Sequence, residues 1–194
     1  MPPDDAPTSD AAVTLRAYDP EADRAALWAA KTDFETALGD AGDEVKATRY
    51  AEKLTEAYRE RWLAWVDRCG ADRAGCVTVA EAREGAGEAV DSAIGERDPG
   101  GGDLVGYVFV LPEQLAFVWD AAVVNELYVA PDHRGTGLAD DLLAAAVDVA
   151  RRQELPLDRL LLDVDPENDR AVAFYERHGF EPWGEIVARP LRES

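Results

Sequence analysis

Histidine and cysteine are scarce in this sequence of 194 residues, which limits the metal and redox chemistry open to it. His133 and His178 are the only histidines, lie far apart, and have no partners at the spacing of a zinc site, so we expect no metal. Cys69 and Cys76 are the only cysteines. A disulfide between them is one reading, but two free thiols are typical of a chain in a reducing compartment.

Basic residues are also few, since 20 arginines and lysines face 40 aspartates and glutamates, and only three of the 20 are lysines. The net charge of −20 leaves no basic stripe to neutralise phosphates, which excludes a general nucleic-acid binder and favours a cationic amine as partner. Such an acidic surface is typical of proteins in concentrated salt, where screening removes repulsion between like charges. We therefore predict a halophilic protein, with an acidic mesophilic protein from a G+C-rich genome as the alternative.

Long apolar runs are missing, and none approaches the roughly 18 residues that a membrane-spanning helix needs, so we expect no membrane partner. Residues 1–12 contain three aspartates, no basic residue and no apolar segment, and do not match a secretory signal. We expect a disordered acidic leader over residues 1–12, a single domain over residues 13–194, and a cytoplasmic location.

The spacing of apolar residues predicts a mixed α/β (α+β) fold. Short runs rich in β-branched and aromatic residues predict strands at Val13 to Ala17, Cys76 to Ala82, Asp103 to Leu111, Val123 to Val129, Leu160 to Val164 and Trp183 to Leu191. Apolar residues at three- and four-residue spacing predict helices from Asp19 to Leu38, Asp43 to Asp67, Gly137 to Arg152 and Asn168 to His178. A long hairpin loop is expected from Arg83 to Gly102, and one crossover joins the fourth and fifth strands in parallel.

A glycine-rich turn between the fourth predicted strand and the next helix is the most informative stretch. Gly135 and Gly137 let successive backbone N–H groups converge, and the helix N-terminus adds partial positive charge, so the turn can hold a pyrophosphate. A plain strand-to-helix turn has the same composition. A P-loop is excluded because Leu138 and Ala139 follow Gly137, and a dinucleotide fingerprint is excluded because Asp140 replaces its third glycine.

Two motifs resemble those of the GNAT superfamily of N-acetyltransferases. Arg134, Gly137 and Ala139 match its Q/R-x-x-G-x-G/A signature. A second set matches its N-x-x-A-x-x-x-Y-x-x-x-G-F pattern in the right order and spacing: Asn168, Ala171, Tyr175, Gly179 and Phe180. The resemblance implies the GNAT fold, a mixed and mostly antiparallel sheet of six to seven strands with a splayed parallel pair and about four helices. It is slightly closer to the ribosomal-protein-type acetyltransferases.

The resemblance also implies a binding site for acetyl-CoA. In similar proteins a bulge splays the strand matching Leu127, Tyr128 and Val129, whose backbone groups bind the pantetheine arm and polarise the thioester carbonyl. Asn168 would contact the cofactor and cap its own helix. The pyrophosphate would bind main-chain N–H groups of the turn formed by Arg134, Gly135, Thr136, Gly137, Leu138 and Ala139.

The chemistry implied by the resemblance is direct attack of a primary amine on the thioester, without a covalent enzyme intermediate. Tyr175 would protonate the departing thiolate, with a structural core tyrosine as the alternative. Two carboxylates are candidates for the general base: Asp163, where some protein-acetylating relatives have a longer glutamate, and Glu126 on the facing strand. Either could instead be a solvated or hydrogen-bonded strand residue. Asp140, in the first turn of the helix, would repel a pyrophosphate, as would its neighbour Asp141.

The acceptor stays open between an amine-bearing small molecule and the N-terminus of a protein or peptide. Its binding wall would come from residues 43–102, the least diagnostic part of the chain, where an aromatic stripe is first of all core packing. A non-catalytic acyl-CoA-binding regulatory module is the alternative function, and a homodimer is left open.

Overall fold

Five strands form one sheet in the computed structural model, which describes residues 13–40, 44–83, 103–184 and 186–189. The strands lie side by side in chain order: β1 (Val13–Ala17), β2 (Val77–Ala82), β3 (Asp103–Val110), β4 (Ala122–Val129) and β5 (Leu160–Leu162). Neighbours from β1 to β4 are antiparallel, and β4 and β5 are parallel. The predicted mixed, mostly antiparallel sheet with one parallel pair is therefore confirmed.

Five α-helices accompany the sheet in the described residues: α1 (Arg24–Asp40), α2 (Glu44–Lys53), α3 (Glu56–Asp72), α4 (Leu138–Arg151) and α5 (Asp169–Arg177). Two short 3-10 helices lie at Glu113–Val118 and Pro131–His133. Among these described helices, none has the length and apolarity needed to cross a bilayer.

The chain divides into two compact units, one ending at Asp163 and the other beginning at Val164. The first unit contains the whole sheet and α1 to α4, and the second contains α5. One domain over residues 13–194 stays a prediction, and the expected leader over residues 1–12 lies outside the described residues.

The central strand β3 is buried on both faces, which explains its almost continuous apolar sequence. Tyr107 and Phe109 pack in the core beneath α1 and α3, while Val108 and Val110 pack in the core beneath α4. Successive side chains of a strand point to opposite faces, so one strand serves two cores. Truncating Phe109, which is fully buried, to alanine is expected to cost about 3–5 kcal/mol of folding free energy.

Both cysteines are buried free thiols. Cys69 lies on α3 and Cys76 just before β2, in the same core cluster. Burial raises the pKa of Cys76 to about 12 and also raises that of Cys69, so both groups stay protonated at neutral pH. They act as small apolar core residues.

The single helix predicted from Asp43 to Asp67 is wrong, because the chain forms two helices there. Leu54 and Thr55 separate α2 from α3, and the hydroxyl of Thr55 accepts a hydrogen bond of 3.2 Å from the N–H of Tyr58. Thr55 thus caps the start of a new helix, and its side chain competes with continuation of the old one. The apolar spacing ran across this break and so concealed it.

The first helix begins later than predicted, at Arg24 rather than Asp19. Asp19 instead closes a turn, since its Oδ1 accepts a 2.8 Å hydrogen bond from the N–H of Glu21. An aspartate before a proline suits such a turn as well as it suits a helix cap.

The predicted sixth strand, Trp183 to Leu191, is absent from the described residues, which form five strands rather than six or seven and five α-helices rather than about four. Residues 183–184 and 186–189 have no strand pairing, and Trp183 and Val187 are 73% and 88% exposed. Alternating side chains show which residues could share a face, but a strand also needs a partner edge. The predicted Arg83 to Gly102 loop falls almost wholly outside the described residues.

Candidate active site

The pairing of β4 with β5 is short, and β4 continues past its end. Ala122, Val123 and Val124 pair with β5, whereas the last five residues of β4, Asn125 to Val129, have no β5 partner among the described residues. On its other side β4 stays paired with β3 as far as Val129. The predicted splayed parallel pair is therefore present, and it leaves one backbone edge of β4 outside the sheet ladder.

A β-bulge lies at the point where the two strands separate. Phe109 of β3 pairs with Glu126 and Val110 pairs with Val124, so Asn125 has no partner in β3. An extra residue reverses the alternation of side chains in a strand. Val124 accordingly packs in the core beneath α4, whereas Glu126 turns towards α1 on the opposite face.

Glu126 is only 5% exposed and is surrounded by hydrogen-bond donors. Its Oε1 accepts hydrogen bonds from Lys31 Nζ at 2.6 Å and from Asn125 Nδ2 at 3.0 Å. Its Oε2 accepts one from the Tyr107 hydroxyl at 2.7 Å. A buried carboxylate requires such compensation because burial removes its hydration. Burial and the neighbouring Glu126 raise the pKa of Tyr107 well above its usual value, which keeps this hydroxyl a donor.

Lys31 joins Glu126 to a second buried carboxylate. Glu35, one turn further along α1, places its Oε1 2.5 Å from Lys31 Nζ, and its Oε2 lies 2.6 Å from Lys53 Nζ of α2. Burial alone would lower the pKa of Lys31, but Glu126 and Glu35 raise it overall. Burial alone would raise the pKa of Glu35, but the two lysines lower it overall. Lys31 and Glu35 therefore stay ionised together near neutral pH.

Tyr128 makes a second connection between β4 and α1. Its ring is buried beside Tyr107, and its hydroxyl donates a 3.3 Å hydrogen bond to Asp33 Oδ2. Glu126 and Tyr128 thus face α1, while Leu127 and Val129 pack towards α4.

The glycine-rich turn has the backbone conformation that its composition predicts. Gly135 and Gly137 adopt φ angles of +82° and +93°, and an added Cβ at either position would meet no atom within 4 Å. Thr136 Oγ1 donates to the carbonyl of His133 at 2.8 Å, and Arg134 Nε donates to the carbonyl of Val129 at 3.1 Å. Side-chain hydrogen bonds therefore fasten the turn to the end of β4 while its glycines face open space.

The start of α4 offers donors for an anion. Gly137 is the N-cap residue, and its carbonyl already accepts from the N–H groups of Asp140 and Asp141. The N–H groups of Leu138 and Ala139 precede any intrahelical acceptor, as at every helix N-terminus. A pyrophosphate fits these donors and the space at the glycines, whereas the carboxylates of Asp140 and Asp141 in the first turn oppose it.

The other predicted catalytic carboxylate, Asp163, directly follows β5 where its pairing with β4 ends. Its side chain is exposed, and we find no hydrogen bond or ion pair to it among the described residues. The two candidate bases therefore differ in setting, since Glu126 is buried and held by three donors.

In the second unit, the remaining predicted residues lie in α5 or next to its ends. Asn168 caps the helix, accepting a 3.1 Å hydrogen bond from the N–H of Ala171, and Gly179 follows the helix with a φ of +82°. The Tyr175 ring lies 5.2 Å from that of Phe174 and 5.6 Å from that of Phe180. Burial raises the pKa of Tyr175 to about 12, so its hydroxyl carries a proton at neutral pH.

Sequence reasoning did not find Lys31, Glu35, Tyr107 or Lys53. A signal was present for two of them, because Leu27, Lys31 and Glu35 recur every four residues and so share the face of α1 that is buried. Charged residues on an apolar helical face indicate a buried ion pair. Nothing in the sequence indicated that Glu126 would be their partner.

Residues 44–180 match the family described as "Acetyltransferase (GNAT) family". A mycothiol acetyltransferase of Salinispora tropica is 36% identical over an alignment of 98 residues, which covers 44% of this chain and 32% of that protein. An uncharacterized N-acetyltransferase of Methanocaldococcus jannaschii is 36% identical over 73 residues, which make up 38% of this chain and 31% of that protein. The chain thus spans about a third of the length of these relatives.

Solved structures share the fold at lower identity. The PaiA N-acetyltransferase of Thermoplasma acidophilum, in complex with coenzyme A, is 16% identical with a TM-score of 0.59, covering 88% of this chain and 90% of that chain. The ribosomal-protein-alanine N-acetyltransferase of Brucella melitensis biovar Abortus is 20% identical with a TM-score of 0.50, covering 92% and 99%. The predicted GNAT fold is confirmed by these likenesses.

Proposed function

Because this chain belongs to the acetyltransferase (GNAT) family, we propose that it is an N-acetyltransferase that moves an acetyl group from acetyl-CoA to a primary amine. The observation that carries the proposal is the early end of the β4–β5 pairing at Val124, which leaves a strand edge leading into an anion-binding turn. Acetyl-CoA has an extended pantetheine arm joined to a pyrophosphate. The amides of the arm can hydrogen-bond to a free strand edge, and the negative charge of the pyrophosphate is stabilised by a helix N-terminus.

The cofactor residues in this proposal are those of the β4 edge and the turn. Leu127, Tyr128 and Val129 bind the pantetheine arm through backbone groups, and residues 134–139 bind the pyrophosphate through main-chain N–H groups. Asn168 makes a further contact from the start of α5. When bound, acetyl-CoA supplies an activated thioester carbonyl. The open space at Gly135 and Gly137 supports close approach of phosphates to the backbone.

Two carboxylates remain candidates for removing a proton from the acceptor ammonium. We propose Asp163 as the base, acting directly or through water, because its carboxylate is exposed at the point where β4 and β5 separate. Glu126 is the alternative base, but both of its oxygens already accept hydrogen bonds. The pH profiles of Asp163→Asn and Glu126→Gln distinguish them, since only loss of the true base removes the acidic limb of kcat/KM.

Tyr175 is proposed as the proton donor to the departing thiolate. Burial raises its pKa to about 12, so the hydroxyl has a proton to donate at neutral pH, although the higher pKa makes it a weaker acid than an ordinary tyrosine. Its place in the second GNAT motif is the further support.

The acceptor in this proposal is a cationic primary amine, on a small molecule or at the N-terminus of a protein. The net charge of −20 supports it in dilute salt, because an acidic protein attracts cations over long range at low ionic strength, an attraction that molar KCl screens. The relatives named above are described as acting on mycothiol and on ribosomal-protein alanine. We further propose that the protein works in the cytoplasm and requires no metal. In this proposal it binds neither nucleic acid nor membrane, and a homodimer is a further proposal.

The testing experiment is thiol release from acetyl-CoA across a panel of amines and peptide N-termini in molar KCl. The proposal expects release that depends on the amine and is absent from the Gly137→Glu protein. A regulatory acyl-CoA-binding module would instead bind CoA tightly and release no thiol with any amine, which would contradict acetyl transfer.

A further inference from the structure

A lysine side chain lies against a carboxylate and two aromatic rings on the α1 side of the sheet. Lys53 Nζ is 2.6 Å from Glu35 Oε2, 4.2 Å from the centroid of the Tyr50 ring and 5.9 Å from that of Tyr58. Aromatic faces attract cations, and a carboxylate adds charge and hydrogen bonds. Glu35, Tyr50 and Tyr58, which we name the ammonium cage, therefore have the chemistry of a binding site for an alkylammonium group.

The walls of the cage are held more firmly than the lysine inside it. The Glu35 side chain is 4% exposed and has a second contact, to the buried Lys31, that does not involve Lys53, whereas the Lys53 side chain is 36% exposed. Lys53 is the last residue of α2, a helix with no buried residues. Its side chain can therefore swing out into solvent without opening a core.

The position of Tyr50 is set independently of Lys53, because α2 approaches α1 closely at Gly39. A Cβ at Gly39 would lie 3.1 Å from Ala47 Cα and 3.2 Å from Tyr50 Cβ, so only glycine permits this crossing without a shift. The base of the Tyr50 side chain is thus set by a backbone contact that does not involve Lys53.

The cage is connected directly to β4. The ammonium group of Lys31 lies between the two carboxylates, with Nζ 2.5 Å from Glu35 Oε1 and 2.6 Å from Glu126 Oε1. Glu126 follows the bulge at which the proposed thioester edge begins. A ligand in the cage would therefore lie on the same face of the sheet as the side chain of Glu126.

We propose that the ammonium cage binds a cationic group of the acceptor and that Lys53 occupies it when no acceptor is bound. The cage stabilises the protonated form of an amine, and a protonated amine cannot attack a thioester. The group in the cage is therefore not the one acetylated. The acceptor class is an amine with a second cationic group, of which a diamine is the simplest member. The inference that the cage binds a cation does not depend on the proposed function. The inference that this cation is part of the acceptor rests on it.

The test uses n-butylammonium chloride as probe and the Lys53→Ala protein, at ionic strength held constant with KCl. The probe should fill the emptied cage and raise the melting temperature saturably, by about 2–4 °C at a few times its dissociation constant. Wild type should respond more weakly because its own lysine competes. Arg49→Ala is the matched control, since it removes one positive charge from an exposed position on the same helix and should respond like wild type.

Two further variants make the binding result specific. Lys53→Ala/Glu35→Gln should lose the response, and Lys53→Ala/Tyr50→Leu, which leaves the buried charges intact, should bind the probe about two- to fivefold more weakly. If Lys53→Ala responds no more than Arg49→Ala, or if the Tyr50 variant binds as well as its parent, the cage is not a binding site.

Kinetics then separate this inference from the proposed function. A diamine, butane-1,4-diamine, should be acetylated with a kcat/KM about tenfold or more above that for n-butylamine, as an added charge contact allows, and the ratio should fall in Glu35→Gln. A ratio near one overturns the diamine class. If no amine is acetylated while the probe still binds Lys53→Ala, the proposed function fails and the cage stands.

Discussion

Lys31 and Glu126, 95 residues apart in the chain, meet in the core with Nζ and Oε1 separated by 2.6 Å. The contact joins α1 to the bulged end of β4, and both side chains are at most 5% exposed. A buried ion pair contributes little over an apolar pair, but removing one partner leaves the other charge unpaired. The pair therefore matters most for the conformation it enforces, in which the Glu126 side chain is held beside the strand edge.

Lys31→Met is expected to lower the free energy of unfolding by about 3–5 kcal/mol, because Glu126 and Glu35 would then face each other without the central charge. Urea denaturation measures the change. The double variant Lys31→Met/Glu126→Gln should recover part of the loss, and Lys46→Met, a lysine of α2, should cost about 1 kcal/mol or less. A loss in Lys31→Met no larger than in Lys46→Met would show that the network is not structural.

Gly137→Glu is expected to abolish CoA binding, since a carboxylate would occupy the space through which phosphates approach the N-terminus of α4. The φ of +93° adds a backbone cost of about 1–2 kcal/mol for any side chain. Gly75→Glu is the matched control, because Gly75 has a φ of +80°, equally open space, and a position in the turn between α3 and β2. Calorimetric titration with CoA should give wild-type affinity for Gly75→Glu, and retained affinity in Gly137→Glu would remove the assigned phosphate site.

Tyr175→Phe keeps the ring contacts with Phe174 and Phe180 and removes only the hydroxyl. If the hydroxyl protonates the thiolate, kcat should fall by about 10²- to 10⁴-fold while CoA affinity and melting temperature stay near wild type. Tyr18→Phe, which removes a hydroxyl bonded to Asp67, should leave kcat unchanged. Full activity of Tyr175→Phe would leave water as the proton donor.

Stability should fall on the acidic side before it falls on the basic side. Burial raises the pKa of Asp23 and of Glu35, but their cationic partners lower both overall, below ordinary values of 3.8 and 4.5. The two carboxylates therefore contribute to the free energy of unfolding at pH values above their ordinary pKa. This contribution is lost as the pH falls through their lower folded-state pKa. The pKa of Lys31 is raised above 10.5, so its contribution disappears only above that pH. Urea midpoints should decline below about pH 4.5, with a shallower decline in Glu35→Gln, and an equal slope in both proteins would contradict this origin.

Salt should stabilise the fold if the acidic surface is an adaptation to concentrated salt. The net charge of −20 makes like charges repel at low ionic strength, and screening reduces that repulsion as KCl rises to molar levels. Thermal melts should show a melting temperature that rises with KCl concentration. A melting temperature independent of KCl would favour an ordinary acidic protein.

The sequence predicted the elements around the turn well and the buried charges not at all. Gly135 and Gly137 indicated a tight turn, and both adopt positive φ angles that few other residues tolerate. Asn168 indicated a helix cap. Both signals are local in the sequence. The contact between Lys31 and Glu126 depends on which helix covers which strand, and that information is not local. The strand expected from Trp183 to Leu191 shows the same limit. An alternating pattern does not indicate whether a sheet edge is available for the segment to pair with.

Asn125 has a consequence for how this strand can change. In a regular strand, odd- and even-numbered residues point to opposite faces of the sheet. A one-residue bulge exchanges the faces of the odd- and even-numbered residues that follow it. Before Asn125 the even-numbered Val124 faces α4, and after it the odd-numbered Leu127 and Val129 do, leaving Glu126 to face α1. If Asn125 were instead paired in the ladder as an ordinary strand residue, Glu126 would point into the apolar core beneath α4 and Leu127 would point towards Lys31. Deleting Asn125 would remove the bulge and leave Glu126 facing α1. The location of the charged network is therefore decided by how β4 accommodates Asn125 as much as by the identity of the neighbouring residues.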